Sequence, residues 1–158
     1  MGLTSDFSWW QLWSCHLAHW DARHLLLNVA AAIPPLLFVR ARFLLIAAPI
    51  LSITLLAFGL DGEYRGASGL IVALWVYAAL TRRSGILLAA IAAKLIIEAA
   101  GWWPSESTSY TALPLAHYAG AAIGVIATAF ARCLRVDAQP GRLRTGRPEA
   151  CAPSSSNA

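Results

Sequence analysis

Residues 66–80 read GASGLIVALWVYAAL, and this stretch decides how the chain is organised. From Leu70 to Leu80 every side chain is apolar or aromatic. The stretch is shorter than the roughly 20 apolar residues that a bilayer-crossing helix requires. We therefore expect its helix to begin below the membrane surface, where protein shelters the preceding chain. Ser68 would then lie inside the membrane, near its outer face.

The rest of the chain is equally apolar. Hydrophobic residues make up 58% of it and charged residues only 13%, whereas a soluble domain carries about 25% charged residues. Four further apolar stretches cover roughly residues 24–39, 43–60, 84–101 and 113–131. We therefore predict an all-α integral membrane protein, a polytopic helix bundle with about five transmembrane helices.

The basic residues indicate how such a bundle would be oriented. Nine of the twelve fall in alternate connections and after the last stretch, on one predicted side of the membrane. By the positive-inside rule that side is the cytoplasm, so we expect the N-terminus outside and the C-terminus inside. The charge thus reports topology, and we expect no nucleic-acid partner. The nine are Arg40, Arg42, Arg82, Arg83, Arg132, Arg135, Arg142, Arg144 and Arg147.

Three regions are expected along the chain. Residues 1–23 contain four tryptophans and are predicted to be an outer interfacial segment. Residues 24–134 form the transmembrane domain, and Pro34-Pro35 should kink or end its first helix before Arg40. Residues 135–158, rich in proline, glycine, serine and arginine, are predicted to be a disordered basic cytoplasmic tail.

Four polar residues are predicted to meet at one depth of this bundle. Ser68 and His117 each lie close to the outer start of an inward-running stretch, and at about 1.5 Å per residue they differ by one helical turn. His24 and Asn28 occupy the outer half of the first stretch, four positions apart and so on one helix face. A serine hydroxyl becomes a good nucleophile only when a neighbouring base takes its proton, and His117 is the plausible base.

Each feature also has a simpler interpretation. An isolated membrane serine such as Ser68 usually serves helix packing, whereas a membrane histidine such as His117 is costly and functional by default. Gly120 and Gly124 follow His117 at small-xxx-small spacing, which serves helix packing and also allows the close approach that a hydrogen bond to Ser68 needs.

Other polar residues suggest no separate site. His16, His19 and His24 do not share a helix face, and neither a carboxylate nor a cysteine completes a zinc set, so we expect no metal. The three cysteines lack metal spacing and predict no disulfide framework. Lys94 and Glu98 are four apart in the fourth stretch. They would either simply neutralise each other or form a polar strut or substrate contact facing the bundle, and we favour the strut.

Three runs carry a resemblance to a known family. Residues 19–28 contain His-x4-His-x3-Asn, residues 66–69 read Gly-Ala-Ser-Gly, and residues 116–124 contain Ala-His-x-x-Gly-x-x-x-Gly. In this order they resemble the rhomboid intramembrane serine proteases, over about residues 14–133. The compact size, with Lys94 and Glu98 before an outer loop, is similar to the rhombosortase branch. Six helices are usual in that family, so we expect a rhomboid-like bundle with the usual first helix missing. Either the reading frame starts upstream of Met1, or this is a five-helix variant.

The resemblance implies a serine endopeptidase of the bacterial inner membrane. It would cut a transmembrane protein substrate near the outer, periplasmic face, and the rhombosortase branch is associated with proteins that end in a Gly-Gly membrane anchor. Ser68 would be the nucleophile and His117 its base, a dyad without an acid, with no cofactor. The resemblance further implies oxyanion donors and site-supporting residues. The donors would be His24, Asn28 and the Ser68 amide, and the supporting residues His19, Gly66, Gly69, Gly120 and Gly124.

Two other functions compete with this one. A catalytically inactive relative would bind transmembrane helices, but the intact serine, histidines and asparagine argue against it. A small transporter or channel would place polar groups at several depths, whereas here they gather at one level, with only Lys94 and Glu98 deeper. The sequence thus favours the protease, and it assigns neither a particular substrate nor an oligomeric state.

Overall fold

The structure is a computed structural model that describes residues 2–40, 42–58, 60, 63–102 and 114–137, with the backbone alone for 135–137. The regular elements of these residues are helices, and one isolated antiparallel bridge connects Leu3 to Tyr64. The all-α prediction is therefore confirmed for this part of the chain. The helices are α1 (Gln11–Ser14), α2 (Ala22–Leu36), α3 (Arg42–Ala57), α4 (Ser68–Arg82), α5 (Gly85–Ala99) and α6 (Pro114–Asp137).

Each of the five predicted apolar stretches contains one helix, and the caps explain where several of them begin and end. Asp21 caps α2 by accepting a hydrogen bond of 2.7 Å from the His24 amide, the usual task of an aspartate at this position. Ser84 caps α5 in the same way. Arg83, at φ 55°, ends α4 in the left-handed conformation. The four-residue α1 within the interfacial segment was not predicted.

Helix length separates α6 from the others. Pro114–Leu134 of α6 is long and apolar enough to cross a bilayer, and it is the one such helix among the described residues. The helices from α2 to α5 have 15 or 16 residues, which at 1.5 Å per residue is about 24 Å or less, against a hydrocarbon core of about 30 Å. The predicted outer loop at 103–113 and most of the predicted tail, 138–158, lie outside the described residues.

Helix α4 forms the centre of the bundle, and it contacts α2, α3, α5 and α6. Nine of its residues are buried. Its closest neighbour is α6, because glycines bring the two backbones together. A β-carbon added at Gly120 would overlap the carbonyl oxygen of Gly69, and one added at Gly124 would lie 2.7 Å from the carbonyl oxygen of Ala73. No larger residue fits at these two contacts without moving a helix.

The two ends of the bundle differ in chemistry. At one end, Arg82 lies over the ring of Phe38 at 3.6 Å, and Arg132 donates to the Leu80 carbonyl at 2.9 Å. The end of α2, the start of α3 and the ends of α4 and α6 therefore lie together at a basic end. Ser68 begins α4 at the opposite end of the bundle, where α2 and α6 also begin.

The N-terminal segment packs against this second end and along α3. The Leu3–Tyr64 bridge attaches it to the loop before α4, and the Gly66 amide donates to the Cys15 carbonyl at 3.1 Å. His16, which we expected at the membrane interface, is buried and contacts the Ser52 hydroxyl of α3 at 3.0 Å. The segment thus holds the loop that leads into Ser68.

Candidate active site

Ser68 is the first residue of α4, and it is half-buried. The first helical bond in α4 runs from the Ile71 amide to the Ala67 carbonyl, so the Ser68 amide has no acceptor within the helix. It lies at the positive end of the helix dipole, where an anion is stabilised. The turn into Ser68 depends on Gly66, whose φ of 117° is unfavourable for other residues.

His117 lies in the first turn of α6, buried beside this helix start. The backbones of α4 and α6 are in contact at Gly69 and Ala116. These residues are the immediate chain neighbours of Ser68 and His117. A β-carbon added at Gly69 would lie 2.7 Å from the carbonyl oxygen of Ala116. The structure thus brings Ser68 and His117 to one level of the bundle, through the same glycine contacts that hold α4 against α6.

The imidazole of His117 contacts two charged residues of α5. Its Nδ1 lies 2.8 Å from Glu98 Oε2 and 3.4 Å from Lys94 Nζ. Lys94 also forms an ion pair with Glu98. We expected these two residues to be a polar strut facing the bundle, and the resemblance implied a dyad without an acid. The ion pair between Lys94 and Glu98 is present, and the buried carboxylate of Glu98 in addition lies directly against the predicted base.

His24 and Asn28 lie next to the turn that precedes Ser68. A β-carbon on Gly66 would lie 2.8 Å from His24 Cε1 and 3.6 Å from Asn28 Nδ2. Asn28 is 8% exposed, and its Nδ2 has no hydrogen-bond partner among the described residues. A buried amide donor without a partner is costly, and it suits a ligand oxygen. The ring of His19 packs edge-on against His24, with 5.1 Å between the centroids.

Tyr64 is a neighbour of the site that the sequence did not reveal. It is buried in the loop before Ser68, and burial raises the pKa of its phenol, while the Gly69 backbone and the Ser68 hydroxyl act in the opposite direction. No hydrogen bond of good geometry reaches its hydroxyl within the described part of the chain. The signal available in the sequence was its place four residues before Ser68 in an outer loop.

The remaining histidine belongs to the scaffold. His16 faces α3, and burial lowers the pKa of its imidazole, which favours the neutral form. The described residues contain no group of three His, Cys, Asp or Glu side chains placed to hold a metal ion. A groove of about 660 Å³ lies between α3 and α6 at the basic end, and none of its lining residues belongs to the Ser68 site.

The arrangement combines the parts that acyl transfer needs: a hydroxyl at a helix N-terminus, an imidazole at the same level, and donors beside them. It has no equivalent at the basic end of the described bundle. Comparison with known proteins adds no assignment, since no protein-family model, curated protein or solved structure matches the chain.

Proposed function

We propose that the chain is an intramembrane serine endopeptidase, similar to the rhomboid family, with Ser68 as nucleophile and His117 as general base. One observation carries this proposal. The residues adjoining Ser68 and His117, Gly69 and Ala116, are in backbone contact at the same end of the bundle. A serine used only for packing requires neither a buried histidine beside it nor the carboxylate that contacts that histidine.

The reaction follows from these positions. His117 takes the Ser68 proton as Oγ forms a bond to the carbonyl carbon of the scissile peptide. The oxyanion that develops would be bound by the Ser68 amide, by Asn28 Nδ2 and by His24. His117 then gives its proton to the leaving amine as the C–N bond breaks. Water, activated by His117 in its turn, hydrolyses the acyl-enzyme and restores the Ser68 hydroxyl.

The proposal includes a membrane-embedded bundle in which α2 to α6 cross the bilayer. Large apolar side chains point outward from several helices, a surface that is unfavourable in water and suitable in lipid. A bilayer adapts to helices of 15 or 16 residues by local thinning. The exposed examples include Leu26, Leu37, Ile46, Ile86 and Ile126.

The two ends support an orientation. The basic end, with Arg82 and Arg132, would face the cytoplasm, which puts Ser68 near the outer face, where water can reach an acyl-enzyme. We propose the bacterial inner membrane as the location and a transmembrane protein as the substrate. Lys94 and Glu98, which resemble the rhombosortase branch, favour substrates with a Gly-Gly membrane anchor.

A fluorophosphonate probe tests the proposal without a substrate. Oγ of an activated serine displaces fluoride from phosphorus and forms a stable Oγ–P bond, while His117 accepts the proton. We expect membranes with the wild-type protein to be labelled, and Ser68→Ala and His117→Ala to lose labelling. Ser84→Ala, a serine substitution at the basic end, is the matched control and should be labelled like wild type.

The outcomes separate the candidate functions. Each variant is first shown to be folded, by circular dichroism and thermal unfolding in detergent. Folded wild-type protein that takes up no probe would contradict the protease and favour the inactive relative that binds transmembrane helices. Labelling that survives Ser68→Ala would exclude Ser68 as the nucleophile.

A further inference from the structure

We propose that Glu98 is a positioning residue for His117: its carboxylate accepts the Nδ1 proton, so that Nε2 is left to take the proton of Ser68. The inference rests on the proposed function and deepens it. It replaces the dyad implied by the resemblance with a triad of serine, histidine and glutamate, in which a third element, α5, contributes to the site.

The distances favour one tautomer of His117. Glu98 can only accept a hydrogen bond at Nδ1, whereas Lys94 can only donate one. The carboxylate oxygen lies 2.8 Å from Nδ1, within ordinary hydrogen-bond range, and the ammonium nitrogen lies 3.4 Å away, beyond it. Nδ1 therefore carries the proton. Were Lys94 the partner, the proton would be on Nε2, and His117 could not act as a base toward Ser68.

Burial makes this contact strong. The side chains of Glu98 and His117 are 6% and 7% exposed, and a buried carboxylate is tolerated only when it is paired and hydrogen-bonded. Lys94, which is half-buried, supplies the opposite charge, and it comes from the same face of α5, four residues before Glu98.

The charges of Glu98 and Lys94 also suit the change in charge that His117 undergoes during the reaction. While Ser68 attacks, His117 becomes an imidazolium. The carboxylate of Glu98 would stabilise that cation and hold its ring in place, the role that a buried acid has in serine hydrolases on other folds. Lys94 holds Glu98 through its other oxygen, Oε1. Glu98 thus does more than neutralise Lys94.

The test compares Glu98→Gln with Glu98→Asp, using the full-length protein in membranes. The rate of fluorophosphonate labelling is measured over a range of probe concentrations, so that the limiting rate and the half-saturating concentration are separated. We expect Glu98→Gln to lower the limiting rate by about 10²–10⁴-fold, since loss of the orienting carboxylate in a serine protease costs about 10⁴. The half-saturating concentration should stay unchanged.

Two controls distinguish positioning from simple stability. Glu98→Asp keeps the charge and should recover part of the limiting rate. Glu63→Gln is the same substitution at a glutamate that pairs with Arg65 in the outer loop, and it should be labelled like wild type. A purely structural Glu98 would change the folded fraction in both variants while leaving the limiting rate of the folded protein intact.

A measurement on the wild-type protein covers the case in which Glu98→Gln does not fold. Nitrogen-15 NMR of histidine-labelled protein reports which ring nitrogen is protonated, and with four histidines in the chain the His117 signals are assigned by their loss in His117→Ala. A proton on Nδ1 of the neutral ring is expected, and a proton on Nε2 would overturn the inference.

The labelling results distinguish the role of Glu98 from the protease activity itself. Wild-type protein that takes up no probe would refute the protease itself. Wild-type protein and folded Glu98→Gln labelled at equal rates would leave the protease standing and remove Glu98 from its mechanism.

Discussion

At the scale of single residues, the most telling side chain after the serine and histidine is Asn28. Its amide nitrogen is buried, has no partner among the described residues, and lies beside the turn that leads into Ser68. Folding alone gives no reason to bury a donor in this way, because an unsatisfied amide costs about 1–3 kcal/mol. Binding a substrate oxyanion would give that donor its partner.

Asn28→Ala should therefore lower the rate of probe labelling by about 10²–10³-fold, the usual effect of losing one oxyanion donor, without lowering the stability of the protein. Asn28→Asp, which replaces the donor by an acceptor of similar size, should be at least as slow. Labelling kinetics and thermal unfolding, measured on the same preparations, check both expectations. A rate equal to that of wild type in Asn28→Ala would remove this residue from the oxyanion site.

At the scale of elements, two helices contain internal prolines, and in each helix a tryptophan compensates for one of them. Pro35 has no amide proton for the Ala31 carbonyl, which instead accepts a bond of 3.0 Å from the Trp75 indole. Pro49 likewise leaves the Leu45 carbonyl to the indole of Trp13, also at 3.0 Å. In lipid these bonds matter, since water is not there to satisfy the carbonyls.

A double-mutant cycle tests the first of these pairs. Trp75→Phe keeps an aromatic ring but leaves the Ala31 carbonyl unsatisfied, so we expect it to lower the free energy of unfolding by about 1–3 kcal/mol. In a Pro35→Ala background the backbone amide gained at this position can bond the Ala31 carbonyl, and the same tryptophan substitution should cost much less. Unfolding in mixed micelles provides the four values. Equal losses in both backgrounds would mean that Trp75 acts through packing alone.

At the scale of the whole molecule, the separation of the two ends predicts a topology. Asp6 is exposed and lies three residues after Leu3, which pairs with Tyr64 in the loop before Ser68, whereas the exposed thiol of Cys133 follows Arg132 at the basic end. Cys15 is buried against Ser52. Burial raises the pKa of its thiol, so less of the reactive thiolate is present at neutral pH.

Labelling with a membrane-impermeant maleimide checks this topology in a chain in which Cys151 is replaced by serine. We expect Asp6→Cys to be labelled in intact cells, and Cys133 only after the membrane is permeabilised. Cys15 should become reactive only when the protein is unfolded in detergent. Labelling of Cys133 in intact cells would reverse the proposed orientation.

The features that could be predicted from the sequence are local, or follow from counting residues along a helix. The apolar stretches predict helices because hydrophobic content and length act within each segment, and all five contain one. The i, i+4 spacing of His24 and Asn28 puts them on one face, and residue counts put Ser68 and His117 at one level. The small residues Gly120 and Gly124 predict a close helix contact, since a backbone can approach only where no side chain intervenes.

The rotation of each helix about its axis and the contacts between residues far apart in the chain could be obtained only from the folded structure. An almost uniformly apolar helix such as α5 carries little signal for the direction it faces, so its sequence could not tell whether Glu98 meets Lys94 alone or also His117. The positions of Tyr64 beside Ser68 and of His16 against Ser52 likewise depend on how a loop and an N-terminal segment fold over the bundle. These contacts join residues far apart in the chain, and the packing of α4 against its neighbours brings them together.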